Sequence, residues 1–305
     1  MNTSTQVPPL WLEIASRIAE FRTQRATTVF RAAERLGMTL PAEAPAPRTY
    51  ALLHHYTYAI SSAARAGRFS DADELVLRWK RADEEDAVEV CSGQRVAVVA
   101  ADACRRSNDD RYESPLYLHV NPGQALSSED AGAESWREAG KMIEAAGMHE
   151  LVTSVTGVVV TLRERGHRET TNSYALKGLP GTIFVDYVAD PVRLGELVLH
   201  ESAHSLLNDA LAAFDVQLSP EARWFSPWKQ AYRPAYGILH AGFAFGVLQK
   251  YFDFHGTRPS NPSLYARVRA EIGAKQWDEA RNAVTQALAE VTDPRAAALL
   301  QEFVG

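Results

Sequence analysis

The motif His200-Glu201-Ser202-Ala203-His204 limits most strongly how this chain folds, because it lies in a segment, 190–214, whose apolar residues recur at helical spacing. In an α-helix, residues four apart lie one turn apart on the same side, so His200 and His204 are able to bind one metal ion. Glu201 is turned by about 100° from His200 and points beside that ion. The motif therefore predicts a metal-binding helix.

The residues before the motif strengthen this prediction. Asp190 is expected to cap the helix, and Pro191 is expected to be its first residue. A segment rich in β-branched and aromatic residues, 182–188, comes directly before the cap and is predicted to be a strand. The pattern indicates a motif-bearing helix over a small sheet, which is similar to the arrangement in zincin metalloproteins.

Helical spacing dominates the rest of the chain, with β-rich segments in the middle. Helices are predicted at 10–37, 49–66, 71–87, 128–147, 190–214, 234–254, 262–273, 276–291 and 294–303. Strands are predicted at 116–120, 152–163 and 182–188, and 94–101 fits either structure. We expect an α+β fold, mostly helical, with a small central β-sheet. We expect one compact domain over 1–305, made of a helical N-terminal part (1–90), a metal-binding core (111–260) and C-terminal helices (261–305).

Composition excludes several classes of protein. The 305 residues carry 32 Lys and Arg against 38 Asp and Glu, a net charge of -6 that argues against a nucleic-acid partner. Cys91 and Cys104 form no Cys-x-x-Cys pair, which argues against a zinc finger or an iron–sulfur site. The longest strongly apolar segment, 238–247, is about half the length that a membrane span needs. With no signal-peptide pattern in 1–12, we expect a reduced, cytoplasmic protein without a membrane partner.

Two helical histidines leave a metal ion under-coordinated, so a third ligand is needed. A third histidine six residues after the second is excluded, because that position is Ala210. Two candidates remain, namely Glu221, in a proline-containing segment, and His240, within an apolar helical segment. His240 is favoured. A lone histidine in an apolar helix is usually structural, but here the pair His200 and His204 still needs a third metal ligand.

Arg233 lies seven residues before His240, and Pro234 is the natural first residue of the helix that follows. If that spacing is helical, Arg233 and His240 are two turns apart on one face. A guanidinium near a metal site would hold a carboxylate ligand through two hydrogen bonds. An arginine paired with a surface acid explains the spacing equally well.

Three segments together resemble a known family. They are LPGTIFVDYVAD (179–190), LVLHESAHSLLNDAL (197–211) and SPWKQAYRPAYGILHAGFAF (226–245). This combination is similar to the HExxH-motif peptide-modification proteins, also described as 2-oxoglutarate-HExxH peptide β-hydroxylases, which are associated with ribosomally synthesised, modified peptides. The resemblance covers about 170–250 in detail. The chain departs from the family pattern at Ala241, where glycine is expected, and at Lys229, where arginine is common.

The resemblance implies an Fe(II)- and 2-oxoglutarate-dependent oxygenase that hydroxylates the β-carbon of a side chain in a precursor peptide. Iron would be bound by His200, His204 and His240, and Arg233 would bind the distal carboxylate of 2-oxoglutarate. Three protein ligands on one face of an octahedral ion leave two positions for the 2-oxo acid and one for dioxygen. Glu201 would then handle a proton or orient a ligand.

Two alternatives stay open. The first is a zinc metallopeptidase in which Glu201 is the general base for a zinc-bound water and Tyr232 or Tyr236 stabilises the transition state. Arg233 discriminates between the oxygenase and the peptidase, because a peptidase has no need of a cation that faces the metal. The second alternative is a non-catalytic scaffold that binds a peptide, which would predict a lost ligand.

Overall fold

The computed structural model describes residues 9–38, 46–82, 86–107, 109, 111–130, 132–258 and 262–304. Part of the predicted helix 71–87, namely 83–85, lies outside these residues. The helices are α1 (Pro9–Arg35), α2 (Pro47–Arg65), α3 (Phe69–Trp79), α4 (Ala133–Ala145), α5 (His149–Val155), α6 (Pro191–Ala213), α7 (Ala235–Thr257), α8 (Leu264–Ala289) and α9 (Pro294–Val304). The strands are β1 (Val88–Cys91), β2 (Gln94–Ala100), β3 (Arg105–Ser107), β4 (Leu116–Leu118), β5 (Val158–Glu164), β6 (Ser173–Ala175), β7 (Thr182–Tyr187), β8 (Arg223–Ser226) and β9 (Ala231–Pro234).

The chain divides into two compact units. One, which we call the sheet unit, is Ala26–Ser205, and the other, which we call the helical unit, is Met1–Arg25 with Leu206–Gly305. The division falls inside α1 and α6, so each of these helices contributes residues to both units. The single domain expected over 1–305 stays a prediction.

The sheet unit is built on a five-stranded mixed sheet with the order β1-β2-β5-β7-β6. The inner strands β2, β5 and β7 are parallel, and the outer strands β1 and β6 each pair antiparallel with their neighbour. Each inner strand contains an uninterrupted run of buried residues, mostly valine in β2 and β5 and Ile-Phe-Val in β7, as expected for strands covered on both faces. Leu52, Leu53 and Tyr56 of α2 join the same core cluster as Val158 and Phe184 of the sheet.

The helical unit packs α7 against α8, with α9 and the hairpin β8–β9 beside them. α7 is apolar almost all round, and residues such as Phe243, Val247 and Tyr251 are fully buried. The hairpin pairs Trp224 with Arg233 and Phe225 with Tyr232. The unit therefore presents β9 directly before the first turn of α7.

The predicted α+β class is confirmed, since the fold is mostly helical and its largest sheet is small and mixed. The segment 94–101 proves to be a strand. The predicted strand 152–163 is wrong over its first residues, because the helix α5 continues to Val155 and the Thr156 N–H bonds to the Val152 carbonyl. None of the helices in the described ranges is long and apolar enough to cross a membrane.

α8 runs without a break, whereas the sequence predicted two helices separated near Gly273. A Cβ at Gly273 would lie 2.3 Å from Oε1 of Gln249 on α7. Gly273 therefore lies inside one continuous helix, and the atom that its Cβ would meet is the end of a flexible side chain. The hairpin β8–β9 was not predicted, because its four-residue strands are too short to show a period.

Candidate metal centre

The cap predicted for the motif helix is confirmed. α6 begins at Pro191, and the N–H of Arg193 donates to Oδ1 of Asp190 at 2.9 Å. The N–H of Leu194 donates to the carbonyl of Asp190, also at 2.9 Å. The aspartate side chain thus satisfies one of the N–H groups that the first turn leaves without a helical partner, and its carbonyl accepts the first hydrogen bond of the helix.

His200, Glu201 and His204 form a group with the spacing of metal ligands. Their candidate ligand atoms all lie within 4.8 Å of one another. The two histidine Nε2 atoms are 3.0 Å apart, with the rings almost perpendicular at 80°. Oε1 of Glu201 lies 3.9 Å from Nε2 of His200. This is the one such group found among the described residues.

The spacing of the two Nε2 atoms agrees with ligation of one ion. Two nitrogens that each lie about 2.1 Å from an ion, at right angles to one another, are about 3.0 Å apart. The side chain of His200 is 19% exposed and that of Glu201 is 2% exposed, so a carboxylate is buried beside a partly accessible histidine pair. The donor set therefore suits a divalent cation that also binds a ligand from solution.

Glu201 is positioned by Ser173, which the sequence did not single out. The hydroxyl of Ser173 donates to Oε1 of Glu201 at 2.6 Å. Ser173 begins β6, the outer strand that pairs Ser173 with Val185 of β7. A three-residue strand carries no readable period, so only the pairing with β7 could have revealed the contact.

The segment that leads into β6 is fixed on both sides. Oδ2 of Asp186, which is buried on β7, accepts from the N–H of Asn172 and from Nε of Arg165, both at 2.8 Å. The guanidinium of Arg193 on α6 donates to the carbonyls of His167 and Glu169. Ser173 therefore meets Glu201 from a segment that is held to both the sheet and the motif helix.

His240 is not a member of the three-residue group and belongs to the helical unit. It is partly buried on α7, and its ring packs on that of Tyr236, with centroids 5.1 Å apart. The Tyr236 hydroxyl donates to Oδ1 of Asn208 at 2.6 Å, and burial raises the pKa of Tyr236 to about 12. Asn208 lies one turn after His204 on α6. The ligand role of His240 stays a prediction.

Arg233 does not lie on the helix that carries His240, as its spacing had suggested. It belongs to β9, and Pro234, with a ψ of 167°, is the N-cap of α7 and not its first residue. The Arg233 side chain is exposed and crosses the first turn of α7, because a Cβ at Gly237 would lie 3.2 Å from its Nε. A side chain at position 237 would therefore be in tight contact with the arginine.

Glu221 and the histidines outside the proposed ligand set were also located in the structure. Glu221, the alternative third ligand, is exposed in the segment between α6 and β8. Three histidines outside the motif, His55, His119 and His255, are buried. His167 is exposed.

Comparisons with known proteins assign no family to the chain. No protein-family model matches it, and no curated protein matches it in sequence. The resemblance drawn from the three segments therefore stays a prediction.

Proposed function

We propose that this protein is an Fe(II)- and 2-oxoglutarate-dependent oxygenase that hydroxylates the β-carbon of a side chain in a ribosomally made precursor peptide. The observation that carries the proposal is the placement of the His200 and His204 Nε2 atoms 3.0 Å apart beside the buried Glu201. The choice of oxygenase chemistry rests on the family resemblance and on Arg233. A cytoplasmic location is part of the proposal, and it agrees with the fact that neither Cys91 nor Cys104 forms a disulfide.

The proposed ligands are His200, His204 and His240. Iron(II), when bound, supplies the redox chemistry that couples decarboxylation of 2-oxoglutarate to hydroxylation of a C–H bond. The three imidazoles would hold the ion and would leave it able to bind the 2-oxo acid. The contact of Tyr236 with His240 supports the third ligand, because the packed ring restricts the orientation of the imidazole.

Arg233 is proposed to bind the distal carboxylate of 2-oxoglutarate. Its planar guanidinium suits a carboxylate bound through two parallel hydrogen bonds. The side chain already lies along the turn of α7 that leads to His240, over Gly237. Glu201, held by the Ser173 hydroxyl, is proposed to orient a ligand of the metal ion or to hold a proton beside it.

The test is reconstitution without oxygen. Iron(II) and then 2-oxoglutarate are added to the metal-free protein while the visible absorption is recorded. We expect a charge-transfer band, and we expect succinate once oxygen and a substrate peptide are admitted. The His204→Ala variant should show neither, because it lacks one of the two helical ligands. A wild-type protein that gives no band and no succinate would contradict the proposal.

The carboxylate role has a matched control in the same hairpin. Arg233→Ala should raise the 2-oxoglutarate concentration needed for half-maximal succinate formation by about tenfold or more while iron binding is unchanged, because charge-assisted hydrogen bonds contribute about 1.5–3 kcal/mol. Arg223 is exposed on β8, where it pairs with Pro234, and Arg223→Ala removes the same charge. If the two variants need the same 2-oxoglutarate concentration for half-maximal succinate formation, Arg233 is not part of the proposed site.

A zinc metallopeptidase is the second candidate, and the position of Glu201 favours it. A buried carboxylate whose Oε1 lies 3.9 Å from Nε2 of His200 is able to act as the base for a metal-bound water. In that case the zinc-loaded protein should cleave a peptide, Glu201→Gln should stop the cleavage, and Arg233→Ala should have little effect. Succinate formation without cleavage would exclude it.

A further inference from the structure

A cavity of about 470 Å³ opens on the sheet unit, apart from the histidine group. Its wall includes Thr28 and Val29 of α1, Tyr58 and Arg65 of α2, and the loop residues Arg111 and Gly178. The volume falls within the range of small-ligand sites, roughly 300–1,000 Å³. The lining therefore combines an apolar body with hydroxyl groups and two guanidinium groups.

Among the described residues that line the cavity, Arg65 and Arg111 carry a full positive charge, and none is an aspartate or a glutamate. Asp109, which is next to the cavity, is matched by Arg111, whose Nε donates to Oδ1 at 2.8 Å, and by the hydroxyl of Tyr58. These hydrogen bonds, with that of Arg111 first, hold the pKa of the Asp109 carboxyl well below its usual range, so it stays ionised and paired. Arg65 donates from Nε to the carbonyl of Ser61 at 3.2 Å, a bond that uses neither of its terminal nitrogens. The cavity thus offers a cation at its rim.

One short segment connects this cavity to the candidate metal centre. Ser173 contacts Glu201 at one end of the segment, and Gly178 lines the cavity at the other. The segment is about five residues long, and an extended chain of that length spans at most about 17 Å. Ser173 and Gly178 are therefore no more than about 17 Å apart, a separation that an extended peptide of similar length also spans.

We propose that the cavity binds an acidic side chain of the substrate peptide, within about five residues of the residue that is modified. The proposal rests on the proposed function, since it names the class of peptide that the same enzyme accepts. Arg65 would bind the carboxylate, and the aliphatic part of the acidic residue would pack on Val29 and the ring of Tyr58. The substrate would thus be selected by charge at a distance from the reacting carbon.

The test measures binding to the metal-free protein. Two fluorescein-labelled nine-residue peptides of alanine and serine, one with three glutamates and one with glutamines in their place, are titrated by fluorescence anisotropy. We expect the glutamate peptide to bind at least about tenfold more tightly than the glutamine peptide, in line with a charge-assisted hydrogen bond. The difference should shrink as salt is raised.

The matched variants are Arg65→Gln and Arg68→Gln. Arg68 is exposed three residues later, pairs with Asp71 and does not line the cavity. Arg65→Gln should remove most of the preference for glutamate, and Arg68→Gln should keep it. Equal binding of the two peptides, or equal loss in the two variants, would overturn the proposal. Because no metal is needed, that failure is distinct from failure to form succinate, which would instead overturn the oxygenase function.

Discussion

At the scale of single residues, His55 shows how burial fixes a protonation state. Its side chain is fully buried on α2, its Nε2 lies 2.9 Å from Oγ1 of Thr182, and its Nδ1 accepts from the N–H of His119 at 3.0 Å. Since Nδ1 accepts, the proton is on Nε2 and is donated to Thr182. Burial, followed by the nearby His119 and His54, lowers the pKa of His55 well below 6.5.

This lowered pKa predicts a loss of stability in acid. The folded protein keeps His55 neutral, whereas the unfolded chain takes up a proton below about pH 6.5. The contribution is therefore fully present above that pH and is lost as the pH falls below it, by about 1.4 kcal/mol per pH unit until the folded protein also titrates. Urea denaturation of the wild type and His55→Gln from pH 8 to pH 5 measures it. The unfolding free energy of the variant should depend less steeply on pH than that of the wild type. Identical slopes of unfolding free energy against pH would contradict the lowered pKa of His55.

Ser173 supports a second prediction for one residue. Ser173→Ala removes the hydroxyl that donates to the buried Glu201 carboxylate, and a hydrogen bond to a charged group contributes about 1.5–3 kcal/mol. We expect that loss in the free energy of unfolding, measured with urea. Ser173→Thr keeps the hydroxyl and suits a strand, so it should stay close to the wild type. If both variants lose the same amount, packing of β6 and not the hydrogen bond is responsible.

At the scale of elements, α4 lies so close to β1 that only glycine fits between them. A Cβ at Gly140 would lie 1.3 Å from the carbonyl oxygen of Val90, which is backbone and has no rotamer to change. Replacing glycine by alanine inside a helix normally gains about 1 kcal/mol. Here overpacking dominates, and we expect Gly140→Ala to destabilise the protein by about 3 kcal/mol or more.

Gly132, directly before α4, provides the control for this prediction. A Cβ there would meet the methyl groups of Leu126 at 3.7 Å, an ordinary contact, and the φ of -68° suits any residue. Gly132→Ala should therefore change stability by no more than about 0.5 kcal/mol. Thermal unfolding of both variants checks the pair, and a mild effect at Gly140 would mean that α4 is able to move away from β1.

The elements that could be predicted from sequence are those long enough to show several repeats of their apolar spacing, or those with a clear capping residue at one end. α6 shows both, with Asp190 and Pro191 at its start and buried residues such as Leu194 and Leu207 at helical spacing. Short strands such as β6 and β8 have no period to read. Gly273 indicated a helix boundary that the structure does not have, because a glycine that often ends a helix is also tolerated inside one.

At the scale of the whole molecule, the candidate site could be predicted only where its residues are neighbours in sequence. The His200–His204 pair follows from a spacing of four on one helix. Ser173 lies 28 residues before its partner Glu201, and no local pattern indicates that contact. Likewise, Tyr236 bonds to Asn208 across 28 residues. Contacts of this kind depend on the packing of elements, which the sequence pattern does not specify.

The ligand set can be tested on the whole molecule through its stability. An ion that binds only the folded protein stabilises it by about 2.7 kcal/mol when its free concentration is a hundred times the dissociation constant. We expect zinc, used here as a redox-inert probe, to raise the unfolding free energy of the wild type by this amount. His200→Ala should lose most of the gain, because it removes one of the two Nε2 atoms that lie 3.0 Å apart.

The same measurement decides the third ligand. His240→Ala should lose most of the gain if His240 binds the ion, and His167→Ala, which changes an exposed histidine, should keep it. Each variant is compared with itself without metal, so any change in its own folding cancels. A full gain in His240→Ala would reject His240 and direct the next substitution to Glu221. A gain in His200→Ala equal to that of the wild type would place the ion elsewhere, and the histidine group would no longer support a metalloenzyme.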